Sequence, residues 1–361
     1  MNAVVLERPK TMTWMEVPKP ELTGPTHVLI EVGACGICGS DLRYYRGENP
    51  WALHTLGRHV DNPPNIIMGH EFAGTVVEVK DKAYEALVGK RVGVQPFRVC
   101  GNCEYCRSGR ENICPDTIHT GHAQGWGDME FYPGAYGDYT IAWGDLCFPM
   151  PDNISFEEAS MVDIVGVGQH ASGRADVRPG STVLCIGGGP AGIAIALCAL
   201  VRGAELVFVS DPSAVCREVA GAYPELVPID PLNQDVADVI REHTSVDGVD
   251  AVFDSVGSAD TFSLGLLLLQ PSGTFVNIAV HDEQANLNLT ALGTERRVTT
   301  SSNSTYEDVA TAYEHVYEGR IDVKPWITHR FKLQEHAEAF RLLLAEEKQA
   351  FKVVLEPECS G

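Results

Sequence analysis

Thr182-Val183-Leu184-Cys185-Ile186-Gly187-Gly188-Gly189-Pro190-Ala191-Gly192 reads as a short apolar strand, a glycine turn and the start of a helix. The helical pattern runs from Ala191 to Val201 and closes at Gly203. A continuous apolar strand of this kind is one buried on both faces of a parallel sheet. The spacing Gly187-x-Gly189-x-x-Gly192 between strand and helix is a dinucleotide fingerprint. Gly187 permits the tight turn, Gly189 lets a pyrophosphate approach the backbone, and Gly192 lets helix and strand pack closely. Pro190 and Ala191 fall within the same cofactor-binding motif, and the N-terminus of the helix that follows offers N–H groups and positive dipole to phosphates.

Leu206 to Val209 supplies the next strand, and Ala251-Val252-Phe253 and Thr274 to Ile278 supply later ones. Strand, helix, strand at this rhythm predicts a doubly wound parallel sheet. Asp211 ends the second strand, 19 residues after Gly192. Its carboxylate is placed to accept both ribose hydroxyls of an adenosine and to repel a 2′-phosphate. Pro212-Ser213-Ala214 intervene before Arg217, so the reading is NAD over NADP. An Asp211 acting as a helix N-cap is compatible with that role.

Residues 1 to about 150 have a different grain: short β-rich stretches, Val4-Val5-Leu6, His27 to Val32 and Phe72 to Val79, separated by turns. Within them Cys100, Cys103, Cys106 and Cys114 form a C-x2-C-x2-C-x7-C cluster. One loop with that spacing can present four thiolates to a single ion, and tetrahedral sulfur favours a closed, structural zinc site. Disulfides would require an oxidising compartment, and the N-terminus lacks an export pattern, because Glu7 and Arg8 interrupt it. The chain therefore reads as cytoplasmic. A length of 361 residues predicts two domains with ample core. The longest apolar run is too short to span a bilayer. A net charge of −22 argues against nucleic acid and anionic lipid as partners.

In chain order, Gly36-Ile37-Cys38-Gly39-Ser40-Asp41, Gly69-His70-Glu71, the cysteine quartet and the glycine motif resemble the zinc-containing medium-chain alcohol and polyol dehydrogenases. Val323-Lys324-Pro325 followed by Thr328-His329-Arg330-Phe331 resembles the sorbitol dehydrogenase branch. The resemblance covers nearly the whole chain. It implies an α/β protein with a GroES-like β-barrel catalytic domain, residues 1–160 and 295–361, joined to a Rossmann doubly wound domain, residues 161–294. The closing segment Phe351 to Leu355 should add a strand to the first domain. It further implies two zinc ions per chain, NAD, and a homodimer or homotetramer.

The same resemblance assigns Cys38, His70 and Asp163 as protein ligands of a second, catalytic zinc, with Glu71 either a transient fourth ligand or a supporting group. Thiolate, imidazole and carboxylate suit an ion that keeps one position open. Ser40 is the expected first proton acceptor. Many relatives place a histidine three residues beyond that hydroxyl, where this chain has Arg43, which cannot act as a base. His170 reads as a packing residue. His70 stands 32 positions after Cys38, the stretch between them holds Tyr44, Tyr45, Trp51, His54 and His59, and a second unusual loop runs from Gly125 to Tyr136. Tyr44 matches a substrate-pocket tyrosine of the sorbitol branch, and Glu295-Arg296-Arg297 resembles its arginine-bearing turn.

These features point to hydride transfer between NAD and a small polar secondary alcohol: a polyol, sugar or vicinal diol. Threonine-type amino alcohols and aliphatic alcohols are alternatives on the same scaffold. A zinc-free reductase of the same fold would lack Cys38, His70 and the quartet. A non-catalytic zinc and nucleotide-binding protein would not need Ser40 two residues after Cys38.

Overall fold

The computed structural model describes residues 1–244, 246–280, 283–287 and 289–358. The chain divides into two compact units, Met1–Asp163 with Val309–Gly361, and Ile164–Asp308.

In the second unit six parallel strands form one sheet in the order Leu226–Ile229, Leu206–Ser210, Thr182–Ile186, Val249–Asp254, Leu269–Asn277, Arg297–Thr300. The first three strands run outward one way and the last three the other. The sheet therefore switches direction beside Thr182–Ile186, where the glycine turn leaves it. Val183, Leu184 and Cys185 are wholly buried, as a strand covered on both faces requires. The two edge strands escape a pattern search for a physical reason. Pro228 interrupts one of them, which an edge tolerates because one side of its backbone pairs with nothing. Arg297–Thr300 carries almost no buried side chain. That last strand corrects the expected boundary at residue 295. The chain returns to the first unit at Val309, because Arg297–Thr300 pairs in parallel register with Thr274–Asn277. Residues 161–163 likewise belong to the first unit.

The first unit is built on a seven-stranded sheet whose central strand, His27–Gly36, pairs antiparallel with Glu71–Val79, Tyr139–Trp143 and Lys352–Glu356. A three-stranded sheet of Thr11–Glu16, Asn2–Arg8 and Ile66–Ile67 lies in the same unit. Val4, Val28, Ile30, Phe72, Val76 and Val353 belong to its buried core. Register decides what meets at the strand ends. Gly36 stands opposite Glu71 on one side and Val354 on the other. Cys38, His70 and Lys352, far apart in sequence, therefore converge on one sheet edge.

Candidate active site

Cys38 ends the turn after Gly36 and caps the helix Gly39–Arg46. Asp41, in that helix's first turn, returns a carboxylate oxygen to the Cys38 N–H at 2.8 Å. The same oxygen accepts from the Tyr136 hydroxyl at 2.8 Å. Its other oxygen stands 3.5 Å from His70 Nδ1. Asp41 is fully buried. Burial alone would raise its pKa, but His70, the Cys38 N–H and the Tyr136 hydroxyl together hold it below the ordinary value. With Nδ1 directed to Asp41, Nε2 is the nitrogen left for a cation, an arrangement that fixes the imidazole's tautomer and orientation.

Cys38, His70 and Glu71 bring ligand atoms within 4.8 Å of one another. Asp163 does not join that group. It opens the helix Val162–Arg174, and its carboxyl is pushed up to about 6 by burial, with Glu71 and Asp41 adding to the rise while His70 and Lys352 oppose it. Glu71 is already engaged. Lys352 Nζ lies 2.7 Å from its Oε1 and 2.5 Å from its Oε2, and both side chains are buried. Burial would lower the Lys352 pKa, yet Glu71 and Cys38 carry it above the usual lysine value. Two carboxylates, a third held by Lys352, and a cysteine thus crowd one imidazole and one ammonium. The donor set fits a zinc ion with an open position. Ser40 Oγ is buried beside this group without a hydrogen-bond partner.

The quartet closes on itself. Sγ–Sγ separations are 3.5 Å for Cys103–Cys106, 3.6 Å for Cys100–Cys114, and 3.9 Å for Cys100–Cys106 and for Cys103–Cys114. Four sulfurs bound to one zinc at its usual bond length stand roughly 3.8 Å apart. The N–H groups of Asn102 and Cys103 hold the Cys100 thiol down to about 7, whereas burial and the neighbouring thiols push Cys106 up to about 12. All four ionise together only around a cation. None of the ten described cysteines forms a disulfide.

In the second unit Gly187 has φ +91° and Gly189 caps the helix Pro190–Val201 with no side-chain bond to its N–H groups. A Cβ on Gly192 would sit 1.8 Å from the Gly187 carbonyl oxygen, so no other residue fits there. Asp211 Oδ2 accepts from the Gly188 N–H at 2.8 Å and Oδ1 from the Ser213 N–H at 2.7 Å, bracing the glycine turn. Arg217 bonds the Asp211 carbonyl at 2.9 Å and pairs with Asp230 at 3.0 Å. The turn fits a dinucleotide's pyrophosphate.

Residues 24–152 match the family described as alcohol dehydrogenase GroES-like domain, and residues 190–318 the family described as zinc-binding dehydrogenase. A sorbitol dehydrogenase of Bombyx mori is 31% identical over 360 residues, 98% of this chain and 97% of its own. The chain belongs to the zinc-containing medium-chain dehydrogenases. An L-idonate 5-dehydrogenase of Vitis vinifera is 31% identical over 86% of this chain and 82% of its own. The solved structure of an Escherichia coli oxidoreductase of unknown specificity superposes with a TM-score of 0.88 at 27% identity, covering 99% of each chain.

Several side chains of this dehydrogenase's site escape a motif search. Asp41 and Tyr136 orient His70, and Lys352 neutralises Glu71. His119 and His122 pack against His70, with ring centroids 5.6 Å and 4.9 Å away. The pair His119-Thr120-Gly121-His122 was the available signal. Of the loop aromatics, Tyr44 is buried with its hydroxyl on Asn49 Oδ1 at 3.2 Å, Trp51 joins the core, and His59 is exposed. His170 does more than pack, since Nδ1 lies 2.8 Å from Asp308. Arg296 bonds the carbonyls of Ala291 and Gln270. No helix among the described residues is long and apolar enough to cross a membrane.

Proposed function

We propose that this chain oxidises small polar secondary alcohols (polyols, sugars or vicinal diols), reducing NAD and holding two zinc ions per chain, one structural and one catalytic. The buried group Cys38, His70 and Glu71, with Asp41 behind His70 and an unpartnered Ser40 hydroxyl alongside, carries this reading. When bound, zinc supplies the Lewis acidity that makes a substrate hydroxyl acidic, and NAD the acceptor for hydride.

The chain's own residues do the rest. Cys38 and His70 would hold the cation, and Asp163 would supply the third ligand, since Glu71 is committed to Lys352. A cation held there would offset the cost of burying the Asp163 charge. Ser40 Oγ, with no hydrogen-bond partner of its own, would take the substrate's hydroxyl proton, and Arg43, three residues on, cannot act as the next base. Asp211 accepts the adenosine ribose hydroxyls with the lone pairs its two backbone bonds leave free. Arg217, tied to Asp230, is not offered to a 2′-phosphate, which supports NAD over NADP.

Elemental analysis should give two zincs per chain, and NAD reduction should be greatest on polyols, sugars and diols. Ser40→Ala should cut kcat by about 10²-fold or more with zinc content unchanged. Full activity in a metal-stripped sample would refute the reading.

A further inference from the structure

Three imidazoles in one buried cluster are more than the zinc chemistry needs. His119 stacks on His122 with centroids 4.0 Å apart and 18° between planes. Both meet the His70 ring near edge-on, at 82° and 65°. Tyr44 covers His122 at 4.5 Å, and Phe97 covers His119 at 5.8 Å. The backbone enforces the approach. Gly121 has φ +86°, and a Cβ there would strike the Gly69 carbonyl oxygen at 2.4 Å. Its N–H holds the Pro133 carbonyl at 2.7 Å. The loop is therefore pinned against the residue preceding His70.

The two histidines differ in what they are given to bind. His119 Nδ1 contacts the Thr120 carbonyl at 2.8 Å, which settles that nitrogen as the protonated one. His122 is 6% exposed, and neither ring nitrogen has a hydrogen-bond partner. Leaving a buried donor and acceptor unmade costs about 1–3 kcal/mol each. Packing alone would be served better by phenylalanine. A neutral imidazole has one nitrogen that donates and one that accepts. A substrate hydroxyl beside His70 could meet either nitrogen, donating to the accepting one or accepting from the donating one. Tyr44 cannot serve, because its own hydroxyl is on Asn49.

We propose that His122 binds the hydroxyl on the carbon next to the one oxidised, and so selects vicinal diols and polyols over monohydroxy secondary alcohols. The inference rests on the dehydrogenase reading above and names the specificity residue within it. A site built to bond a substrate hydroxyl strongly rejects the analogue lacking it, since the site's own polar groups are then left unpaired.

The test compares wild type, His122→Phe and His122→Asn with NAD on butane-2,3-diol and butan-2-ol. Phenylalanine keeps the ring stack and removes both hydrogen-bonding atoms; asparagine keeps a donor and an acceptor. In wild type the diol should be favoured in kcat/KM. His122→Phe should lower the diol-to-butan-2-ol ratio of kcat/KM by on the order of 10- to 1,000-fold. His122→Asn should recover part of the loss. Without substrate the melting temperature of His122→Phe should equal or exceed that of wild type, because no native hydrogen bond is removed. The diol should raise the melting temperature of wild type and fail to raise that of the phenylalanine variant. An unchanged diol-to-monool ratio, or an equal loss on both alcohols, overturns the role of His122 while leaving a dehydrogenase. A zinc-loaded wild type that oxidises no alcohol overturns the dehydrogenase reading, and this inference with it.

Discussion

Single residues around His70 show how much of this site is support. Asp41 makes two hydrogen bonds and one ion contact with its two oxygens, and each fixes a different member: the Cys38 backbone, the Tyr136 ring and the His70 imidazole. Asp41→Asn is nearly isosteric, yet it replaces one acceptor oxygen with a donor. Zinc affinity should fall about 10- to 100-fold, read by competition with a chromogenic chelator. Lys352 is a second case. Lys352→Met strands the Glu71 charge in the interior, and breaking a buried pair in this way costs about 3–5 kcal/mol. Denaturant midpoints should show that loss for the single variant and most of it restored in Lys352→Met/Glu71→Gln. If the double variant is no more stable than the single, the pair is not what stabilises this end of the sheet. The resemblance singled out Cys38, His70 and Ser40 because they lie inside the short motifs that carry it. It missed Asp41's function although the residue lay inside the quoted motif, because capping and second-contact roles leave no spacing of their own.

At the scale of elements, the strand, turn and helix from Thr182 to Val201 were legible nearly to the residue, since apolar run, glycines and helix form one local signal. Gly192 is where helix and turn touch. Gly192→Ala forces its methyl into the Gly187 carbonyl, so helix and strand must part. The expected cost is about 1–3 kcal/mol of stability. NADH affinity should fall with it, measurable by fluorescence titration; an alanine variant that binds NADH like wild type would show that the turn accommodates the methyl. Edge strands were the opposite case. Leu226–Ile229 holds a proline and Arg297–Thr300 faces outward, so neither carries the buried pattern that marks a central strand. The boundary at residue 295 that the resemblance implies falls before the second of these, which pairs with Thr274–Asn277.

For the whole molecule, pH is the informative variable. Asp308 is half-buried; burial would raise its pKa, but the hydrogen bond from His170 and those from Thr305 outweigh it and depress it. A depressed folded-state pKa contributes stability that is present above the unfolded value, near 3.9, and is lost as pH falls through the folded one. Wild type should therefore lose stability steeply below about pH 4. Asp308→Asn should lower stability at pH 7 by about 1–3 kcal/mol and flatten that acid limb. Parallel pH profiles of wild type and variant would contradict this pairing. The excess of acidic side chains, net −22, adds repulsion at neutral pH that relaxes on acidification, so the variant isolates the local pair from the global charge.

The sequence alone determined the two kinds of domain, the closely spaced cysteine quartet and the glycine turn, and pointed to Cys38 and His70, two of the residues that meet in the candidate metal site. Each is written within a few dozen residues, where spacing maps directly onto geometry. Only the tertiary structure decided that Lys352 reaches Glu71, 281 residues away, that Asp163 does not join the group formed by Cys38, His70 and Glu71, and that His122 lies against His70 with both nitrogens unpartnered. The reason is strand register: pairing Gly36 with both Glu71 and Val354 sets which distant side chains share one end of the sheet, and register is fixed by the packed faces of whole strands, which no short motif encodes.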